Sequence, residues 1–318
     1  MTILLEALIL AIVLILAGLR LLAWFRENDS AVPQSTTLIE TPLGTVAAAI
    51  TGPQDGTPIM LVHGTAAWSG FWRDVSSHLA DQGWRVIAVD LPPFGYSERD
   101  AKGRYDRVSQ ATRLAAVLRS STDQAAVVVG HSFGAGAATE LALRSPDQVR
   151  GLVLVDAALG KIDPTASSSL FQGALSPAIV GQPLTAATIT NPWAIGPLLK
   201  GMIARKDAAD DWIATLRQPM LRPATTSGYA EWLPELFTTN DDAWSRRGER
   251  LASITRPVAI IWGEADTVTP PAQGQELARL MRARSFTRLP GVGHIPHIEA
   301  PAAFLNALDQ SVKSDKGE

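Results

Sequence analysis

Cysteine is absent from this chain of 318 residues, which excludes a disulfide framework, a thiolate metal site and a cysteine nucleophile, and leaves the redox compartment unmarked. Clusters of one charge are missing as well. The 28 Lys/Arg and 31 Asp/Glu residues are well mixed along the chain and sum to a net charge of -3. No basic strip interleaved with aromatics is available to hold a phosphate backbone, so nucleic acid is excluded as a partner. There is no internal repeat or low-complexity tract. A long apolar run occurs once, at the N-terminus.

That run extends from Ile3 to Leu19 and continues past Arg20 as Leu21 to Phe25, with only Glu6 and Arg20 interrupting it. At ~1.5 Å rise per residue it can cross a hydrocarbon core of about 30 Å. A cleavable signal peptide wants positive charge ahead of the apolar stretch and a small-x-small site behind it. Here Arg20 and Arg26 follow the run and Glu6 lies in its first turns, so an uncleaved transmembrane anchor over residues 1–26 is expected. By the positive-inside rule the two arginines place the rest of the chain on the cytoplasmic face, although Glu27 and Asp29 follow them closely. A polar linker over 27–35 then leads into the folded domain.

From residue 36 the pattern changes. Thr36 to Glu40 and Thr45 to Ile50, separated by Thr41-Pro42-Leu43-Gly44, read as a β-hairpin. Short apolar strands follow at Ile59–Val62, Val86–Asp90, Ala125–Val129, Leu152–Val155 and Val258–Trp262. Most are separated by helix-length segments such as Phe71–Gln82 and Val108–Ser120. Strands apolar on both faces and alternating with helices imply a parallel sheet covered on both sides. The interval between Val155 and Val258 is too long for one crossover helix. It is expected to form a helical cap over 158–252, inserted between two parts of an α/β core at 36–157 and 253–310, with a polar tail over 311–318. Trp193, Trp212, Trp232 and Trp244 lie in this insertion and suggest an apolar roof.

The pentapeptide Gly130-His131-Ser132-Phe133-Gly134 sits directly behind the run Ala125 to Val129 and ahead of the small-residue helix pattern Ala135 to Leu143. Strand, G-x-S-x-G and helix in this order make a nucleophile elbow, a sharp turn that lifts a serine clear of the sheet. The acid and base follow in the order that elbow requires. Asp266 stands on the loop after Val258–Trp262, and His294 stands in Gly291-Val292-Gly293-His294-Ile295-Pro296-His297 after a further strand at Ser285–Leu289. In such an arrangement His294 takes and returns the Ser132 proton, while Asp266 fixes the imidazole tautomer.

With these pieces the chain resembles the α/β-hydrolase superfamily, in its cap-bearing branch with a serine nucleophile, over roughly Thr36 to Leu308. The matching motifs include His63-Gly64 after the third strand and Asp90-Leu91-Pro92-Pro93-Phe94-Gly95-Tyr96-Ser97 after the fourth. Pro93 stands where many relatives have glycine. The resemblance implies an oxyanion hole from the backbone N–H groups of Phe133 and Thr65, and a mostly parallel, doubly wound sheet.

Rivals stand beside each assignment. Asp156, after the strand Leu152–Val155, occupies the position from which some hydrolases of this fold take their acid, and would otherwise serve the cap hinge; Glu264 is a third candidate. His297 competes with His294, but its surroundings suit packing or capping of the last helix. His63 and His131 are expected to hold the oxyanion loop and the elbow by hydrogen bonds, and His78 to face solvent on a helix. His294 and His297 lack the further ligands of a metal centre, so neither metal nor cofactor is expected. Serine at the elbow argues against the dehalogenase and epoxide-hydrolase branches, which use aspartate there. The expected activity is hydrolysis of a carboxylic ester with an apolar acyl group. The alternatives are carbon–carbon hydrolysis of a vinylogous diketone and slow or non-catalytic ligand binding.

Overall fold

The computed structural model describes residues 2–29, 31–160, 162, 178–236 and 240–315. Eight strands form one sheet: β1 Thr36–Ile39, β2 Val46–Thr51, β3 Pro58–Val62, β4 Arg85–Val89, β5 Ala126–His131, β6 Val149–Val155, β7 Val258–Gly263 and β8 Ser285–Leu289. Their spatial order is β1-β2-β4-β3-β5-β6-β7-β8. The first two strands are antiparallel to their neighbours, and β3 to β8 run parallel. This is the α/β-hydrolase fold, with every expected strand found.

The central strands are apolar on both faces because both are covered. Ile59, Leu61, Val127 and Val129 point into one core with Trp72, Leu79, Phe304 and Leu308. Met60, Val62 and Val128 point into the other with Leu114, Leu118 and Leu141, as the two-residue period of a strand requires. The covering helices are α2 Arg73–Asp81, α3 Arg107–Ser121 and α4 Phe133–Arg144, followed later by α10 Pro271–Leu280, α11 Pro296–Glu299 and α12 Pro301–Val312. Helix α3 starts where it does because Asp106 accepts hydrogen bonds from the N–H groups of Val108 and Ser109 at 2.9 and 3.0 Å, an N-cap that satisfies two otherwise unpaired donors.

The insertion contributes α5 Ala178–Ala187, α6 Ile195–Met202, α7 Asp210–Arg217, α8 Thr225–Trp232 and α9 Gly248–Ala252; residues 163–177 of the expected cap lie outside the described residues. Its tryptophans do not act alike. Trp232 is fully buried, with ring centroids 4.7 Å from Phe94 and 5.4 Å from Phe133. Trp212 is buried against Phe71 at 5.1 Å. Trp244 has the guanidinium groups of Arg144 and Arg250 over its ring at 4.4 and 4.6 Å, and Trp193 is 72% exposed. Among the described residues, Trp232 and Trp212 are the insertion tryptophans with aromatic partners in the core, and Trp232 is the one that packs on Phe133 of the elbow.

Three segments meet partners that lie far away in the sequence. The N-terminal helix, α1 Thr2–Arg26, is not detached from the domain by a free linker. It packs on α5 and α8, and Glu27 is buried, accepting hydrogen bonds from the N–H of Thr226 at 3.0 Å and from the Thr226 hydroxyl. The tail from 311 is not a loose polar end: helix continues through Val312 and a 3-10 turn reaches Asp315, whose buried carboxylate pairs with Arg284. His78 does not simply face solvent, since its Nε2 meets the Asp309 carboxylate at 3.0 Å. Each of these contacts joins residues more than twenty positions apart in the chain.

Candidate active site

Parallel strands deliver their C-terminal ends to one edge of the sheet, so the loops after β3, β5, β6, β7 and β8 converge there. At that edge Ser132 follows β5 with φ 51° and ψ -122°, in a region costly for any residue with a Cβ. The turn can close only with glycine on either side. A Cβ on Gly130 would lie 2.7 Å from Ala135 Cα, and one on Gly134 would lie 2.3 Å from the carbonyl oxygen of His63. The strained residue is pinned from both sides. Its N–H donates to the Val155 carbonyl at 3.0 Å, and its own carbonyl accepts from Ala135 and Ala158, each at 3.0 Å.

The structure brings Ser132, His294 and Asp266 together. His294 Nε2 lies 2.8 Å from Ser132 Oγ, and its Nδ1 lies 2.8 Å from Asp266 Oδ2. All three are buried. Asp266 also accepts from the Thr269 hydroxyl at 2.6 Å and from the N–H groups of Val268 and Thr269 at 2.7 and 3.0 Å. Burial acts to raise the Asp266 pKa, but the His294 and Thr269 hydrogen bonds outweigh it and hold the carboxyl below the usual range. Glu264 is exposed and faces Arg288 instead.

Asp156 is also present at this centre. Its carboxyl, Asp266 and His294 each bring one polar atom within 4.8 Å of the others. Asp156 Oδ1 accepts from the Gly263 N–H at 2.8 Å, and Oδ2 is buried without a partner. Burial, with the Asp266 charge adding to it, raises the Asp156 pKa well above the usual range despite the Gly263 bond. The two carboxyls thus shift in opposite directions, the one facing His294 toward its ionised form and the one behind it toward its protonated form.

The other histidines have supporting places. Leu91 N–H donates to His63 Nε2 at 2.9 Å, so His63 Nδ1–H donates to the Gly64 carbonyl at 2.7 Å, and burial lowers the His63 pKa to about 4. His131 Nε2–H donates to the carbonyl of His294 at 2.8 Å, while burial and the neighbouring His294 lower its pKa to about 3. His297 is buried and stacked on Trp72 at 4.2 Å, with neither ring nitrogen hydrogen-bonded; burial drives its pKa well below the ordinary value. Phe133 opens α4, so its N–H belongs to the unpaired first turn of the helix. Thr65 follows Gly64, where an added Cβ would come within 2.9 Å of Ser132 Cβ.

Two contributors escaped the sequence reading. One is Thr269, whose hydroxyl reaches Asp266 and lies 3.2 Å from His294 Nδ1; nothing marks it except its position three residues after Asp266. The other is Glu299, a buried residue whose carboxyl accepts four backbone N–H groups. These are Gly293 at 2.9 Å and Ile295 at 3.1 Å, flanking His294, and Ala204 at 2.8 Å and Arg205 at 3.2 Å in the insertion. Glu299→Ala should leave all four without an acceptor. Stability should fall by about 3 kcal/mol or more in denaturant unfolding, and kcat should fall with it because the His294 loop loses its clamp. Glu299→Gln, which keeps an acceptor, should be milder on both measures.

The sequence model of the alpha/beta hydrolase fold family matches residues 57–301, and the chain belongs to that family. Among curated relatives it is 30% identical over 265 residues to a 2-hydroxymuconate semialdehyde hydrolase of Pseudomonas sp. (strain CF600), covering 80% of this chain and 86% of the relative. It is 29% identical over 259 residues to a pimeloyl-[acyl-carrier protein] methyl ester esterase of Neisseria meningitidis, covering 80% and 94%. Among solved structures, a bacterial membrane phospholipase A superposes with a TM-score of 0.67 at 20% identity, over 100% of both chains.

Proposed function

We propose that this chain is a serine hydrolase that cleaves a carboxylic ester of an apolar acyl substrate, tethered to a membrane by α1. The observation that carries the reading is the pair of 2.8 Å contacts from His294, one to the Ser132 hydroxyl and one to the Asp266 carboxylate. Ser132 Oγ adds to the ester carbonyl carbon as His294 Nε2 takes its proton. The charge that develops on the carbonyl oxygen is met by the N–H groups of Phe133 and Thr65. Collapse breaks the carbon–oxygen bond to the alcohol, which leaves with the proton from His294. A water then adds to the acyl carbon, passing one proton to His294, and the acid departs as that proton returns to Ser132 Oγ. Asp266 stays ionised throughout and holds the imidazole in its productive tautomer.

Trp232 packed on Phe133, with Trp212 beside Phe71, supports an apolar acyl site under the insertion. The likeness to the 2-hydroxymuconate semialdehyde hydrolase favours a second reading, carbon–carbon bond hydrolysis of a dienoate diketone by the same residues. A panel of p-nitrophenyl esters and monoacylglycerols, run beside such a diketone, decides between them. The ester reading expects turnover of the panel, strongest with apolar acyl groups, and covalent labelling of Ser132 by a fluorophosphonate. Turnover of the diketone alone would install the second reading, and labelling without any turnover would leave a ligand-binding protein.

The membrane part has its own test. The full chain should remain with membranes through high salt and carbonate and be released only by detergent. A mature N-terminus beyond Phe25 would instead make α1 a signal peptide. Arg20 and Arg26 favour a cytoplasmic domain, and alkaline phosphatase activity of a C-terminal fusion would overturn that side.

A further inference from the structure

The way α1 meets the rest of the chain carries a consequence for the insertion. Along α1 and the residue that follows it, those with reduced exposure are Leu16, Leu19, Arg20, Ala23, Arg26 and Glu27, a single face at three- and four-residue spacing. Arg20 Nε donates to Gln182 of α5 at 2.9 Å, and Arg26 donates to the Thr190 carbonyl at 2.7 Å. The opposite face remains open, with Leu21, Leu22, Trp24 and Phe25 each more than half exposed. Contact therefore begins at Leu16, about one helical turn, or ~6 Å, on the apolar side of Arg20. An arginine and exposed aromatics mark the headgroup zone of a spanning helix. Alongside such a helix, α5 lies at the depth of that zone.

Its surface fits this depth. Large hydrophobic residues left exposed outside α1 are concentrated in the insertion, at Val180, Leu184, Trp193, Leu198, Leu221 and Leu236. Among the other described residues only Val32, Leu38 and Val268 are comparable. Val180 and Leu184 are four apart on α5 and share a face. Neither their exposure nor the 72% exposure of Trp193 is relieved by any partner in the fold, and exposed apolar surface of this kind marks an interaction site. We propose that α5 and the turn carrying Trp193 form a second membrane-contact surface, seated in the headgroup region of the phospholipid bilayer that α1 crosses. This rests on the anchor reading of α1. It places the insertion that roofs Ser132 at the lipid surface, through α8, whose Thr226 holds Glu27 and whose Trp232 packs on Phe133.

The absence of cysteine makes the test direct. Single-cysteine variants of the full chain, Val180→Cys, Leu184→Cys and Trp193→Cys in the insertion, Ile9→Cys in α1 and Ser77→Cys at an exposed position of α2, are labelled with an environment-sensitive fluorophore. They are reconstituted in phosphatidylethanolamine–phosphatidylglycerol vesicles with nitroxide-bearing lipid, using variants that keep wild-type ester turnover. The label at Ile9 and those at Val180, Leu184 and Trp193 should lose most of their emission to the lipid-borne quencher, and the label at Ser77 should keep it. Quenching at Ile9 with insertion labels as unquenched as Ser77 would overturn the proposal while leaving the anchor intact. An unquenched Ile9 label would remove the anchor and the proposal together. Insertion labels shielded from water but not quenched by lipid, with shielding that rises with protein-to-lipid ratio, would assign the surface to a second copy of this chain and overturn it as well.

Discussion

Ser132→Ala is expected to lower ester turnover by about 10³-fold or more while leaving the fold in place. The hydroxyl is the only atom removed, and its partner is His294 Nε2 at 2.8 Å. The hydrogen bonds that hold the elbow come from the backbone of residue 132 and survive the substitution. Alanine accepts the left-handed φ of 51° no worse than serine does, so denaturant midpoints should move little. Residual activity would come from the N–H groups of Phe133 and Thr65 acting with water. Measuring kcat with a p-nitrophenyl ester beside an unfolding curve checks both halves, and a variant retaining a tenth of wild-type kcat would end the serine reading.

The sheet and the elbow were legible in the sequence because both are local. A strand buried on two faces, such as Ala126–His131, shows as an unbroken apolar run, and the strained turn at Ser132 shows through the small residues it demands. What escaped depends on contacts between distant segments. Glu299 looks like an ordinary helix-terminal glutamate until the fold sets it under Gly293 and Ala204. Glu27 reads as a linker charge until Thr226 is brought against it. Four tryptophans in one insertion look equivalent, yet Trp193 is exposed and Trp232 fully buried, because only the position of the β5–α4 turn decides which can reach Phe133. The division of labour between Asp156 and Asp266 was open for the same reason, since burial and the direction of His294 Nδ1 are set by the assembled sheet edge.

Asp266→Asn and Asp156→Asn should therefore behave oppositely. An amide at 266 cannot pair with the imidazolium and favours the wrong tautomer, so kcat should fall by about 10⁴-fold. An amide at 156 can still accept from Gly263 N–H and matches the shape of the protonated carboxyl that burial favours there, so kcat should stay near wild type. Stability separates the pair further. The folded-state pKa of Asp156 is raised by burial, so the folded chain keeps that proton after an unfolded aspartate, near ~3.9, has lost it. Its contribution is complete below the unfolded value and is lost as pH rises toward the folded one. Relative to Asp156→Asn, wild-type stability should drop by about 1.4 kcal/mol per pH unit within that window. Asp266, held below its ordinary value, has the reverse sign: its contribution is present above the unfolded pKa and is lost as pH falls through the folded one. Denaturant unfolding of the wild type and both variants reads these slopes, from about pH 4 upward for Asp156 and from about pH 5 downward for Asp266, with kcat measured wherever the chain stays folded. Severe loss of kcat in Asp156→Asn with activity preserved in Asp266→Asn would move the acid to Asp156, and a stability difference that does not change with pH would mean that Asp156 is already ionised in the folded chain.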